Sequence, residues 1–167
     1  GINSPGWSGN ISGYGAIQSL VANASNGYYV SGLYSEGNTL TFEITSDEAT
    51  KADLVVRVSS IIPDMWLNSE QVWAVKVNGE VIDYGDVYLT GTGGLNEPAP
   101  FEDAIFIEDI DLEEGDNTIE LVTVNDDKPD VVGTNFDGTA PEVDCIKVYT
   151  DEAQLTWEPL LDNLDFI

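Results

Sequence analysis

The chain has no histidine, one cysteine, and five basic residues against 31 acidic ones. The missing histidine removes the side chain that most often moves protons near neutral pH and most often ligates transition metals. So few Lys and Arg exclude a surface built to hold phosphate or nucleic acid, which needs clustered cations. A single cysteine excludes an internal disulfide. Cys145 stands in strand-like sequence with no histidine to activate it, and reads as a small core residue rather than a nucleophile. No apolar run approaches the roughly 18 residues that cross a bilayer, so membrane insertion is not expected. The carboxylates that dominate the charge suit hard, oxygen-liganded cations, calcium foremost.

Hydrophobic residues make up 42% of the 167 positions. That is enough for a packed core, so the net charge of −26 belongs to surface and loops and not to disorder. The length suits a single domain over 1–167, with a glycine-rich N-terminal segment (1–15) and a C-terminal extension (150–167). The start at Gly1, without a secretory signal, is read as an excised module or a processed fragment.

The strongest periodic signal has period two. Leu40, Phe42 and Ile44 alternate with Thr39, Thr41, Glu43 and Thr45, the mark of a half-buried strand. Leu54, Val56 and Val58 repeat it, as do Trp73, Val75 and Val77 before Asn78-Gly79, a strong two-residue hairpin signal because both residues accept positive φ. Ile110 and Leu112, Ile119 and Leu121, Ile146 and Val148, and Leu155 with Trp157 mark further strands. No stretch carries a capped helical period. The fold class is therefore all-β, an antiparallel β-sandwich of jelly-roll type. The segment from Gly1 to Tyr14 reads as coil laid over a surface.

Two kinds of side chain could carry function. Exposed aromatic rings bind sugars by stacking on their apolar C–H faces, while amides and carboxylates take the hydroxyls. Trp66, Trp7, Tyr14 and Phe136 lie in loop-like segments, Trp66 where no strand pattern demands burial, and Tyr34 and Asn135 complete the polar and aromatic candidates. Trp73 and Trp157 fall on inward strand positions and read as core. Among the carboxylates, Asp144 shares the phase of Ile146 and Val148, so it is expected on the core side. A charge there needs a partner, either a cation or backbone N–H groups. The loop holding Asn125, Asp126, Asp127, Asp130, Asn135 and Asp137 gathers oxygen ligands without EF-hand spacing.

Three stretches resemble the β-sandwich carbohydrate-binding modules of families 6 and 35. They are Ala24 to Leu33 with Gly37 to Ile44; Ala52 to Ser59 with Val75 to Gly79; and Asp109 to Leu121 with Ala140 to Ile146. The resemblance implies a structural Ca2+ and a glycan site in loops at one end of the sandwich. It places Asp144 on the aspartate of the family's closing strand; further metal candidates are Asp137, from the oxygen-rich loop, and Asp162 with Asp165, from the tail. Asp162 belongs to a tail, Asp162 to Ile167, that is itself similar to the closing pattern. It also puts Glu142 where the group often carries a sugar-binding asparagine. The chain departs from the group in lacking its opening Glu-Ala-Glu strand and any aromatic in the Thr90 to Pro98 loop.

These readings together predict a non-catalytic carbohydrate-binding module of an exported, multimodular bacterial protein, secreted or on the cell surface. It would be a monomer that binds polysaccharide or oligosaccharide, covalently linked to catalytic or surface domains. The alternative is a structural or adhesive cell-surface sandwich that binds no glycan. A hydrolase or lyase is disfavoured by the absent histidine and scarce cations.

Overall fold

The computed structural model describes residues 2–5, 10–12, 17–20, 28–31, 33, 36–60, 65–70, 72–89, 101–124 and 141–157. Its strands are β1 (Ile2–Pro5), β2 (Asn10–Ser12), β3 (Ile17–Leu20), β4 (Tyr28–Ser31), β5 (Thr39–Ser46), β6 (Thr50–Ser59), β7 (Met65–Leu67), β8 (Trp73–Val77), β9 (Glu80–Ile82), β10 (Val87–Leu89), β11 (Glu102–Leu112), β12 (Gly115–Thr123), β13 (Glu142–Tyr149) and β14 (Leu155–Trp157). No helix occurs among the described residues. One six-stranded sheet runs β11-β6-β13-β4-β3 with β1 also on β13; the other runs β14-β5-β12-β8-β9 with β2 also on β5; β7 and β10 form a separate two-stranded ribbon.

Antiparallel register turns the period-two pattern into cross-strand rows. In the first sheet Ile105, Val56 and Ile146 align, and so do Ile107, Leu54 and Val148. In the second, Leu40, Leu121 and Val75 align, followed by Phe42, Ile119 and Val77. Both sets belong to one buried cluster. Two pleated sheets facing each other bury these rows between them, and the apolar area removed from water drives the fold. The expected hairpin is present: Val77 pairs with Glu80 across Asn78 and Gly79, whose φ angles are 49° and 83°.

The turn between β11 and β12 is laced by a buried side chain. Asn117 Oδ1 accepts from the Glu113 N–H at 2.7 Å and from Asn78 Nδ2 at 2.8 Å; its own Nδ2 donates to the Glu113 and Gly115 carbonyls at 2.8 and 3.1 Å.

Three expectations change. The N-terminal segment is not all coil: β1 pairs with β13, and β2 pairs with β5. Trp66 is not in a loop but in the three-residue strand β7, too short to show a period in sequence. In the C-terminal extension, Leu155–Trp157 pairs with β5 as an added strand, and Trp157 is only partly buried.

Candidate functional site

The ribbon of β7 and β10 packs beside β11. Its register pairs Val87 with Leu67, Tyr88 with Trp66 and Leu89 with Met65. Leu67 and Leu89 are buried in the core, with Val87 partly buried against it. Alternation then forces the residues between them outward. Trp66 is 52% exposed and Tyr88 45%. Their ring centroids lie 5.1 Å apart with planes tilted by 54°, inside the range of favourable tilted aromatic pairs. Two residues further along the same face, Asn68 Nδ2 donates to Asp86 Oδ1 at 3.3 Å, and the Asn68 Oδ1 accepts the Glu70 N–H at 3.0 Å. Tyr88 was not singled out from sequence. The available signal was Val87-Tyr88-Leu89, an aromatic between two aliphatics just after Gly85-Asp86.

A second cluster forms where β13 starts. Val143 pairs with Val58 and Cys145 with Arg57, so Asp144 is an extra residue, a β-bulge. The bulge lets both Val143 and Ile146 join the core despite their odd spacing. Asp144 therefore does not share the phase of Ile146 and Val148, as alternation had implied. Its carboxylate is fully buried and meets Arg57, which lies between the core residues Val56 and Val58 and faces away from them. Arg57 Nε donates to Asp144 Oδ2 at 3.0 Å, and its Nη1 lies 3.6 Å from Asp103 Oδ1. Lys147 Nζ adds a bond of 3.1 Å to Asp103 Oδ2. A buried charge needs such a partner, and here the protein supplies a guanidinium.

Glu142 sits opposite Ser59, two residues before Asp144. It is 2% exposed and neither carboxylate oxygen has a hydrogen-bond partner. Burial pushes its carboxyl up to about 7; its own backbone N–H draws it down slightly without reaching hydrogen-bond geometry. Among the described residues, no three Asp, Glu, His or Cys side chains gather as a metal site. At the far end of β6 a concavity of about 380 Å³ is lined by Lys51, Asp53, Asp109, Tyr149, Asp151 and Glu152.

Of the residues singled out from sequence, Trp66, Glu142 and Asp144 are thus placed, the last two together on β13 and the first on the ribbon. Trp7, Tyr14, Tyr34, Asn135, Phe136, Asp137, Asp162 and Asp165 lie outside the described residues.

Comparison with solved structures shows the class of fold: it is the β-sandwich of carbohydrate-binding modules. The native structure of a family 35 carbohydrate-binding module from Clostridium thermocellum aligns with a TM-score of 0.62 at 17% identity, covering 89% of this chain and 97% of that one. Xyl-CBM35, in complex with a glucuronic acid containing disaccharide, aligns with a TM-score of 0.62 at 14% identity over 91% of this chain and 94% of that one. The exo-beta-1,3-galactanase of Phanerochaete chrysosporium, solved with beta-1,3-galactotriose, aligns with a TM-score of 0.61 at 19% identity; the match covers 89% of this chain but 29% of the galactanase. No protein-family model matches the sequence, and neither does any curated protein. The expected sandwich and its likeness to family 35 modules hold.

Proposed function

We propose that the protein is a non-catalytic carbohydrate-binding module that holds a larger exported protein on polysaccharide. The observation that carries this reading is the outward Trp66 ring, fixed on a ribbon whose other face is core, in a fold shared with modules solved with saccharides. Tethering raises the local concentration of an attached domain near polymeric substrate without any chemistry in the module. The galactanase, in which the matched part is a minor share of the chain, supports linkage to further domains. Neutral glycans are the preferred class, because a net charge of −26 repels acidic polymers unless a cation bridges them.

Affinity electrophoresis through soluble β-glucans, xylans, mannans and pectins tests the reading. Retardation in at least one polymer is expected, lost on Trp66→Ala, with no reducing ends released. Unretarded migration throughout would overturn it in favour of an adhesive or spacer domain, the reading favoured by a Thr90 to Pro98 loop without an aromatic. A structural calcium is part of the proposal. The support for it is Glu142, a buried carboxylate without a hydrogen-bond partner two residues from Asp144. EDTA should lower the melting temperature without abolishing retardation; an unchanged melting temperature removes the metal from the reading.

A further inference from the structure

The geometry points to the outward face of the β7–β10 ribbon as a complete glycan subsite. We propose that Trp66, Tyr88, Asn68 and Asp86 together bind a single, solvated chain of neutral sugar, not a crystalline polysaccharide surface. This rests on the carbohydrate-binding reading and specifies where and how it operates.

Register places the four side chains as two adjacent cross-strand pairs, Trp66 with Tyr88 and Asn68 with Asp86. Successive outward positions on a strand are ~7 Å apart, so a sugar stacked on the Trp66 ring has its hydroxyls within reach of the polar pair. The pairing supplies what a polyhydroxylated ring needs: an apolar face beneath it, with an amide and a carboxylate at its edge. Asn68 is already oriented by the Glu70 N–H and by Asp86, so little ordering remains to be done on binding. The platform is equally fixed, because Leu67 and Leu89 anchor both strands in the core. Trp and Tyr carry few rotatable bonds, which keeps the entropy of immobilising them low.

The 54° tilt decides the form of the ligand. Two rings that diverge this much cannot lie on one flat crystal face, whereas they can flank a chain whose ring presents an apolar face to one and an edge to the other. Charge decides its sign. Asp86, Glu70 and Asp83 are exposed around the ribbon, so a uronic acid would meet repulsion. Cross-strand aromatic pairs also stabilise short ribbons on their own, and the experiment must separate that role from binding.

The test uses the intact chain and the soluble polysaccharide that most retards it, with titration calorimetry on an oligosaccharide of that polymer. Trp66→Ala and Tyr88→Ala should each weaken binding by about tenfold or more, and Asn68→Ala by a few-fold. Trp66→Phe should recover much of the loss, and Tyr149→Ala, at the far concavity, should leave affinity unchanged. Melting temperatures of all variants show whether the ribbon remains folded. Crystalline cellulose and chitin should not deplete the wild type from solution. Wild-type affinity retained by both Trp66→Ala and Tyr88→Ala, or loss on Tyr149→Ala alone, overturns the ribbon site and leaves the carbohydrate-binding reading standing. Depletion by a crystalline polymer as strong as binding to the soluble one overturns the single-chain claim. Absence of binding by the wild type to every polymer overturns the underlying reading and the site with it.

Discussion

Replacing Glu142 by glutamine should stabilise the fold at alkaline pH and leave it almost unchanged at acid pH. The ordinary glutamate value is 4.5, and burial lifts that of Glu142 to about 7. The folded state therefore keeps a proton that the unfolded chain releases. Stability falls as pH rises from 4.5 through about 7, where the folded carboxyl must also ionise, and levels off above. At about 1.4 kcal/mol per tenfold change in proton affinity, the charged folded form carries a penalty of about 3 kcal/mol. The amide introduced by Glu142→Gln imitates the neutral acid, so the variant should escape that penalty. For a chain of this size, about 3 kcal/mol corresponds to a melting temperature higher by roughly 6–12 °C at about pH 8, and by almost nothing at about pH 4. Thermal denaturation by circular dichroism, in EDTA, measures both. Only the difference between variant and wild type is informative, since 31 acidic groups make every form of the chain pH-sensitive. A difference of the same size at the two pH values would show that ionisation of Glu142 does not set the pH dependence. Calcium adds a separate arm: a cation against Glu142 would restore the wild type at pH 8 and leave the variant unmoved.

Arg57→Met removes the guanidinium that meets the fully buried Asp144, and should cost about 3–5 kcal/mol in urea denaturation. Adding Asp144→Asn should recover part of that loss, and a strictly additive double mutant would show that the two do not interact. Asn117→Ala deletes three bonds within the β11–β12 turn and one to Asn78 of the β8–β9 hairpin. A loss of about 2–4 kcal/mol is expected, and a change under about 0.5 kcal/mol would mean the turn holds without them.

The long strands were legible because their residues repeat one instruction many times. Thr39 to Ser46 alternates without interruption, and the structure buries Leu40, Phe42 and Ile44 as the pattern requires. Asn78-Gly79 was legible because few residue pairs accept two positive φ angles. Short strands carry no such redundancy. Met65-Trp66-Leu67 alternates only once, so its membership of a ribbon depends on Tyr88 and Leu89, about twenty residues away, which local pattern does not reveal. β1 and β2 are similar cases, made by pairing with β13 and β5 and not by their own composition.

Asp144 shows why the polar centre was harder to read than the core. One extra residue reverses the phase of everything after it, and nothing local marks a bulge. Read through an unbroken strand, Asp144 faces the core and calls for a cation or backbone N–H groups; read with the bulge, it faces Arg57. The consequence reaches the charge balance. Of five basic residues, Arg57 and Lys147 are both engaged with Asp144 or Asp103 on one face of the first sheet. That leaves Glu142, on the same strand, without a cationic partner from the described residues. Either protonation or a bound cation must then offset its burial, and these differ in one observable: protonation makes stability depend on pH alone, whereas a cation makes it depend on calcium at fixed pH. The ribbon bearing Trp66 is independent of that choice, because its anchors Leu67 and Leu89 are aliphatic and the proposed ligand groups, Trp66, Tyr88, Asn68 and Asp86, do not include Glu142. Chelation should therefore change how firmly the sandwich holds together while leaving sugar affinity at the ribbon intact.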